Sequence, residues 1–285
     1  MAESRIPVDL FNPGQVFACM GFLEAAEVLL GGAEGGFDWS DPADVRFVLR
    51  AAGEADPVRE VLGFLAESRV SSMAPLGSAL GTATWGVPTM AAPLDEFPFP
   101  QPPSPATLPA LLEDVRGRHL TIEHWGDATR RDAVKFWAGA GGYPGAALAR
   151  DALDLVRAGL AAAGAEAFAL AAPQSSSFRF DWRRDYVPLE VGFSPNEHSA
   201  MTMVGFPVVE LLAAIGLQHA RPARLDRLAY RYAALGSSAP PALLRAALGG
   251  SPLPFPRRMF RIRLDWPGQK EQARCISNVT EEIPP

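Results

Sequence analysis

Eight prolines fall between residues 88 and 109, in PTMAAPLDEFPFPQPPSPATLP. Each proline fixes φ and removes a backbone donor, so neither a helix nor a central strand can run through such a stretch. It is a linker or a long surface loop. It divides the chain into an N-terminal α/β region (1–87), the proline-rich segment (88–110) and a C-terminal α+β region (111–285). Any fold must place regular structure on both sides and carry the prolines outside it.

Regular patterns occupy those two regions. Asn12-Pro13 is a helix start, a capping side chain followed by proline at the first helical position. Val16, Phe17, Met20, Leu23, Ala26, Val28 and Leu30 recur at helical spacing until Gly31-Gly32. A short strand around Phe37-Trp39, a strand over 44–51 and a helix over 57–67 follow. Beyond the prolines, 119–125 and 133–139 read as strands. GGYPG (141–145) leads into a helix. Residues 175–193 read as extended segments around a charged turn, and 206–217 as a buried helix. A strand (227–235), a short helix (240–250) and a hairpin of 257–266 with 274–282 complete the chain. Helices and strands do not alternate regularly, so the expected class is α+β, with mainly antiparallel sheets, packed helices and a long proline-rich loop.

Composition narrows the function classes. Nearly half the residues are hydrophobic and a fifth are charged, the balance of an ordinary globular chain. Cys19 and Cys275 offer neither a disulfide framework nor zinc-ligand spacing, which points to a reducing cytoplasm. The N-terminus lacks the basic and apolar segments of a signal peptide. The longest apolar run, FPVVELLAAIGL, carries Glu210 and is too short to cross a bilayer, so no membrane is expected. The net charge of −6 argues against strong free binding to nucleic acid. The cations, however, are 24 arginines and two lysines. Arginine suits bidentate phosphate contact, although a GC-rich genome would produce the same bias.

No phosphate loop, zinc-helix or nucleophile-elbow motif is present. His119 and His124 fall on opposite faces of a strand and are poor joint ligands. No catalytic residue, metal or cofactor is expected. Three basic stretches remain as candidates for phosphate contact. In the first, Arg130, Arg131 and Lys135 precede the glycine loop with Gly139, Gly141 and Gly142. Glycines let backbone N–H groups approach a phosphate, and a helix N-terminus favours an anion. A dinucleotide fingerprint counted from Gly139 and Gly141 fails, because Pro144 stands where the third glycine belongs. In the second, Arg179, Arg183 and Arg184 interleave with Phe178, Phe180, Trp182 and Tyr186, the mixture used for stacking and phosphate contact. A buried aromatic face with arginines neutralised by Asp181 and Asp185 would look the same. In the third, strand alternation puts Arg257, Arg261 and Arg263 on one face and Arg258 on the other with Phe260, Ile262 and Leu264. Such a stripe serves as an electrostatic surface or as a charge-guarded edge strand.

Four stretches, IPVDLFNPGQVFACMGFLEAAEVLLG, IEHWGDATRRDAVKFWAG, FDWRRDYVPLEVGFSPNEH and VVELLAAIGLQHARP, occur in this order. Together they resemble the Cascade large-subunit-like family of type I-U (I-G) CRISPR systems. The resemblance implies a non-enzymatic subunit of an RNA-guided antiviral surveillance complex in the cytoplasm. Its implied partners are the CRISPR RNA, target double-stranded DNA, the backbone and crRNA-end-binding Cascade subunits, and a helicase-nuclease. The implied role is recognition of the motif flanking the target (the PAM), within a ribonucleoprotein whose sequence reading is left to base pairing. The resemblance assigns no role to any single residue, so the candidate site rests on the basic residues above. Two alternatives stay open: a purely structural subunit of the same complex, and a small-molecule enzyme built on the glycine-rich loop 139–145.

Overall fold

The structure, a computed structural model, describes residues 1–73, 82–90, 110–122, 144–174, 176–184, 203–265 and 275–282. The expected strand over 133–139 and the glycine loop lie outside the described residues, as does most of the proline-rich segment.

The fold is α+β. Helix α1 (Pro13–Leu29) starts where Asn12 accepts a hydrogen bond from the Gly14 amide. It ends before Gly31 and Gly32, both in the left-handed region, which glycine enters without steric cost. Every residue of α1 from Pro13 to Ala26 is buried. A helix buried on all its faces must be surrounded by other elements. Its main neighbour is α4 (Pro207–Gly216), all ten residues of which are also buried. Gly21 and Gly216 allow this contact. A Cβ added at Gly21 would stand 1.9 Å from the Leu212 carbonyl oxygen, and one at Gly216 2.1 Å from that of Phe17. The two backbones therefore meet with nothing but hydrogen between them.

Among the described residues, three small antiparallel sheets and a two-stranded ribbon accompany this pair. The first sheet has the order β1 (Ala2–Pro7), β3 (Arg46–Ala51), β2 (Glu34–Asp38). The second is β4 (Arg69–Ser72), β5 (Ala110–Glu113), β6 (His119–Ile122). The ribbon joins β7 (Ala172–Pro173) to β8 (Val204–Gly205). The third sheet runs β12 (Cys275–Glu282), β11 (Arg257–Asp265), β10 (Ala229–Leu235), β9 (Ala223–Arg224). The C-terminal hairpin expected from the alternating pattern is the β11–β12 pair. The β4–β5 pairing spans the proline-rich stretch, with Arg69 opposite Glu113 and Ser72 opposite Ala110. Thus the regions before and after the prolines share one sheet, and one hydrophobic cluster runs through both.

The remaining helices lock the layers together. Helix α2 (Pro57–Glu67) is capped by Asp56, whose side chain accepts from the Arg59 amide. Its other end is met by Arg157 of α3 (Gly145–Ala163), which donates to the carbonyls of Ala66 and Ser68 at 2.7 and 2.8 Å. A cation on the last helical carbonyls satisfies acceptors that the helix itself leaves open. Helix α5 (Pro241–Leu248) is tied to α1 by Arg245, which donates to Glu24 at 2.6 Å. Glu24 is 5% exposed. Arg245→Ala would strand its carboxylate in the core and is expected to cost about 3 kcal/mol in urea unfolding. The double variant Glu24→Gln with Arg245→Ala should recover part of that loss.

The charged turn expected within residues 175–193 is present as a short 3-10 turn at Trp182–Arg184. The described residues before it, 176–181, join no strand ladder, and Arg179 has φ +64°. The Asp181 carboxylate accepts from the Arg183 amide at 3.0 Å. This local side-chain bond draws the backbone into a turn and away from a strand ladder.

Candidate nucleic-acid interface

Of the three basic stretches, the first (Arg130, Arg131, Lys135, Gly139, Gly141 and Gly142) lies outside the described residues. The second is part of the core. Phe178 and Phe180 are buried and stack on each other with ring centroids 5.9 Å apart. Arg183 donates from Nε to Asp181 at 2.9 Å and from Nη2 to the Phe168 carbonyl at 3.0 Å. Its guanidinium lies 3.4 Å from the centroid of the Phe206 ring. Asp181 does neutralise Arg183, and the Phe178 and Phe180 rings face inward, where no base can stack on them. Trp182 is half-buried, and Tyr186 lies outside the described residues. Arg184 belongs to the turn.

Three of the four quoted stretches meet here. The Asn12 side-chain amide donates to Asp181 at 3.0 Å while its carbonyl caps α1. Asp181 and Glu210 have no exposed surface. Glu210, on the first turn of α4, accepts from the amides of Phe180 and Asp181 at 3.2 and 3.0 Å. Asn12, Asp181 and Glu210 come from three of the four quoted stretches and form one buried polar network. Their role in this network is to join α1, the 177–184 segment and α4.

The third stretch does reach the surface. Along β11, Phe260, Ile262 and Leu264 are buried whereas Arg261 and Arg263 are exposed, as the alternation requires. On the inner face, Tyr232 of β10 stacks on Phe260 at 5.2 Å and its hydroxyl donates to the Leu10 carbonyl at 2.6 Å. Arg258 belongs to this side. It donates to both oxygens of Glu281 at 2.7 Å and lies 6.0 Å from the Trp39 ring. On the outer face, Arg257 donates to the Ser251 carbonyl at 2.6 Å. Arg261 donates to Glu282 at 2.8 Å, and Arg263 lies 3.5 Å from Asp265 with 71% of its side chain exposed. Arg231 on β10 stands opposite Arg261 and also donates to Glu282. Sequence reading passed over Arg231, although its position between buried Tyr230 and Tyr232 gave the signal.

Sequence reading also passed over a groove of about 460 Å³ lined by Arg5, Arg50, Phe37, Asp38 and Trp39. Its arginines are matched by acids: Arg5 and Arg50 share Glu3, and Arg5 also meets Asp38. Charge there cancels, so this groove offers an anion little.

The acids on β12 titrate below their ordinary range. Hydrogen bonding from Arg258 lowers Glu281, and hydrogen bonding from Arg231 lowers Glu282. A carboxylate with a folded pKa below its unfolded value, about 4.3 for Glu, stabilises the fold above that value. It loses this contribution as pH falls through the folded pKa. The urea midpoint of the wild-type chain should therefore drop on acidification below about pH 4.3. In the Glu281→Gln, Glu282→Gln double variant it should drop less.

Among the described residues, no three or more metal-ligating side chains come together, and no helix is long and apolar enough to cross a membrane. Cys19 is buried and Cys275 half-buried, both as free thiols. No protein-family model, curated protein or solved structure matches the chain.

Proposed function

We propose that this chain is a non-catalytic subunit of an RNA-guided CRISPR surveillance complex of the type I-U (I-G) Cascade kind. In this reading it works in the cytoplasm, contacts target DNA near the flanking motif or the CRISPR RNA, and helps recruit the helicase-nuclease. The observation that carries the reading is the joining of Asn12, Asp181 and Glu210 in one buried network. These residues lie in the stretches that resemble the family, and together they hold α1 against α4. The exposed arginines of β11 supply a surface for phosphate.

A purely structural role in the same complex is the second reading. It is favoured by the internal engagement of Arg183 and Arg258, each held by a carboxylate and placed against an aromatic ring.

The test is affinity purification of the tagged chain from cells expressing its whole gene neighbourhood, with sequencing of the co-purified RNA and identification of the proteins. Short RNAs of uniform length with a repeated backbone protein are expected. A monomer without RNA would sink both readings. An assembled complex whose target binding survives loss of the exposed arginines would favour the structural one.

A further inference from the structure

The outer face of the C-terminal sheet has a composition that selects its ligand. Arg231, Arg257, Arg261 and Arg263 lie on it with two acids, Asp265 and Glu282. Among the described residues, four cations against two anions leave this face positive, on a chain whose net charge is −6. The exposure is concentrated at Arg261 and Arg263, whose side chains are 51% and 71% accessible. Two positions along a strand separate them by about 7 Å, so both point the same way as a short row of donors. The aromatic residues of these strands, Tyr230, Tyr232 and Phe260, are all buried on the opposite side. Between the arginines and along β12 the face carries Asn278 and Thr280, opposite Arg263 and Arg261.

We propose that this face holds the phosphodiester backbone of a nucleic acid without reading its bases. The inference rests on the functional reading above and gives it a surface. Two observations carry it. First, one carboxylate, Glu282, is shared by guanidinium groups from adjacent strands, Arg231 on β10 and Arg261 on β11. A phosphate presents the same paired oxygens to the same forked donors. Glu282 thus occupies the position that a backbone phosphate takes, and the two compete. Second, sequence-tolerant binding by base stacking needs exposed aromatic rings, and this face presents none among its described residues. What remains is charge-assisted hydrogen bonding to phosphate, which fixes register and orientation but not sequence.

The test uses the full chain and fluorescence anisotropy, with labelled strands of deoxythymidine, deoxyadenosine and adenosine, and a mixed-sequence DNA duplex, over a range of salt concentrations. The wild-type chain is expected to bind the thymidine and deoxyadenosine strands alike. Arg261→Ala with Arg263→Ala should weaken binding on the order of tenfold and flatten the log–log salt dependence for single strands by about 1.4. Glu282→Gln should tighten binding several-fold, because it removes the internal competitor while leaving Arg231 and Arg261 in place. The ribose and deoxyribose arms separate a guide-strand role from a target-strand role. Unchanged binding in the double arginine variant, with circular dichroism and urea midpoint matching the wild type, overturns the proposal. So does weaker binding by Glu282→Gln, or a wild-type chain that binds no strand. A chain that binds strands through this face but purifies from cells without RNA would sink the functional reading alone.

Discussion

Gly21→Ala is expected to destabilise the chain by about 3 kcal/mol or more. The added methyl would lie 1.9 Å from the Leu212 carbonyl oxygen, with the Leu212 carbonyl carbon and Cα at 2.6 and 3.0 Å. Overpacking usually costs less when a flexible side chain can swing aside. Here the obstacle is backbone, inside a helix buried along its whole length. Relief requires α4 to move away from α1, and every core contact between the two helices opens with it. Gly63 provides the contrast. It sits inside α2, and a Cβ built there meets nothing within 4 Å. Gly63→Ala should therefore stabilise by about 0.5–1 kcal/mol through helix propensity alone. Urea unfolding of both variants checks the pair. Opposite shifts of the midpoint are expected, and a mild effect of Gly21→Ala would mean that α1 and α4 are not locked together.

The second large effect is expected at Glu210. Its carboxylate accepts the amide protons of Phe180 and Asp181 in a site with no exposed surface. Glu210→Ala would leave two buried donors without this acceptor, and each uncompensated buried group costs about 1–3 kcal/mol. A loss of about 4 kcal/mol is expected. Glu210→Gln keeps a carbonyl acceptor of the same shape and should lose roughly half as much. Chemical denaturation gives the magnitudes. Hydrogen exchange at the Phe180 and Asp181 amides identifies the mechanism, since both should lose protection in Glu210→Ala before the sheets do. Equal losses for alanine and glutamine would mean that the negative charge, not the acceptor geometry, is what the site needs.

These two sites mark where the sequence stopped being informative. The ends of α1, α2 and α5 were legible because their signals are local. Asn12-Pro13 and the glycines after α1 act on backbone within a few residues. The β11–β12 hairpin was legible from alternation, which also assigned Arg258 and Arg261 to opposite faces. Nothing local told Gly21 that it must face Leu212, or Glu210 that its acceptors serve amides about thirty residues away. Those are tertiary facts, and a single periodicity cannot encode them. The interleaved arginines and aromatics at 178–184 show the other side of the problem. The same composition serves a stacking surface and a buried corner, and the partner that decides, Phe206 beneath Arg183, is supplied from the start of another helix. On the outer sheet face, the arginines were found because alternation separates them from the core. Arg231 was overlooked because it is a single cation in a strand that otherwise looks internal.

The enclosure of α1 has a consequence in time. This helix, buried on every side from Pro13 to Ala26, leaves the ribosome before its principal partner, which begins at Pro207. At typical synthesis rates of about 5–20 residues per second, the intervening roughly 180 residues take on the order of 10–35 s to appear. For that interval the nascent chain displays a largely apolar segment whose principal native cover is still missing. Its safe delivery depends on the speed of translation and on whatever holds unfinished chains, and slowing elongation between the codons for α1 and α4 should raise the aggregated fraction without altering the finished fold.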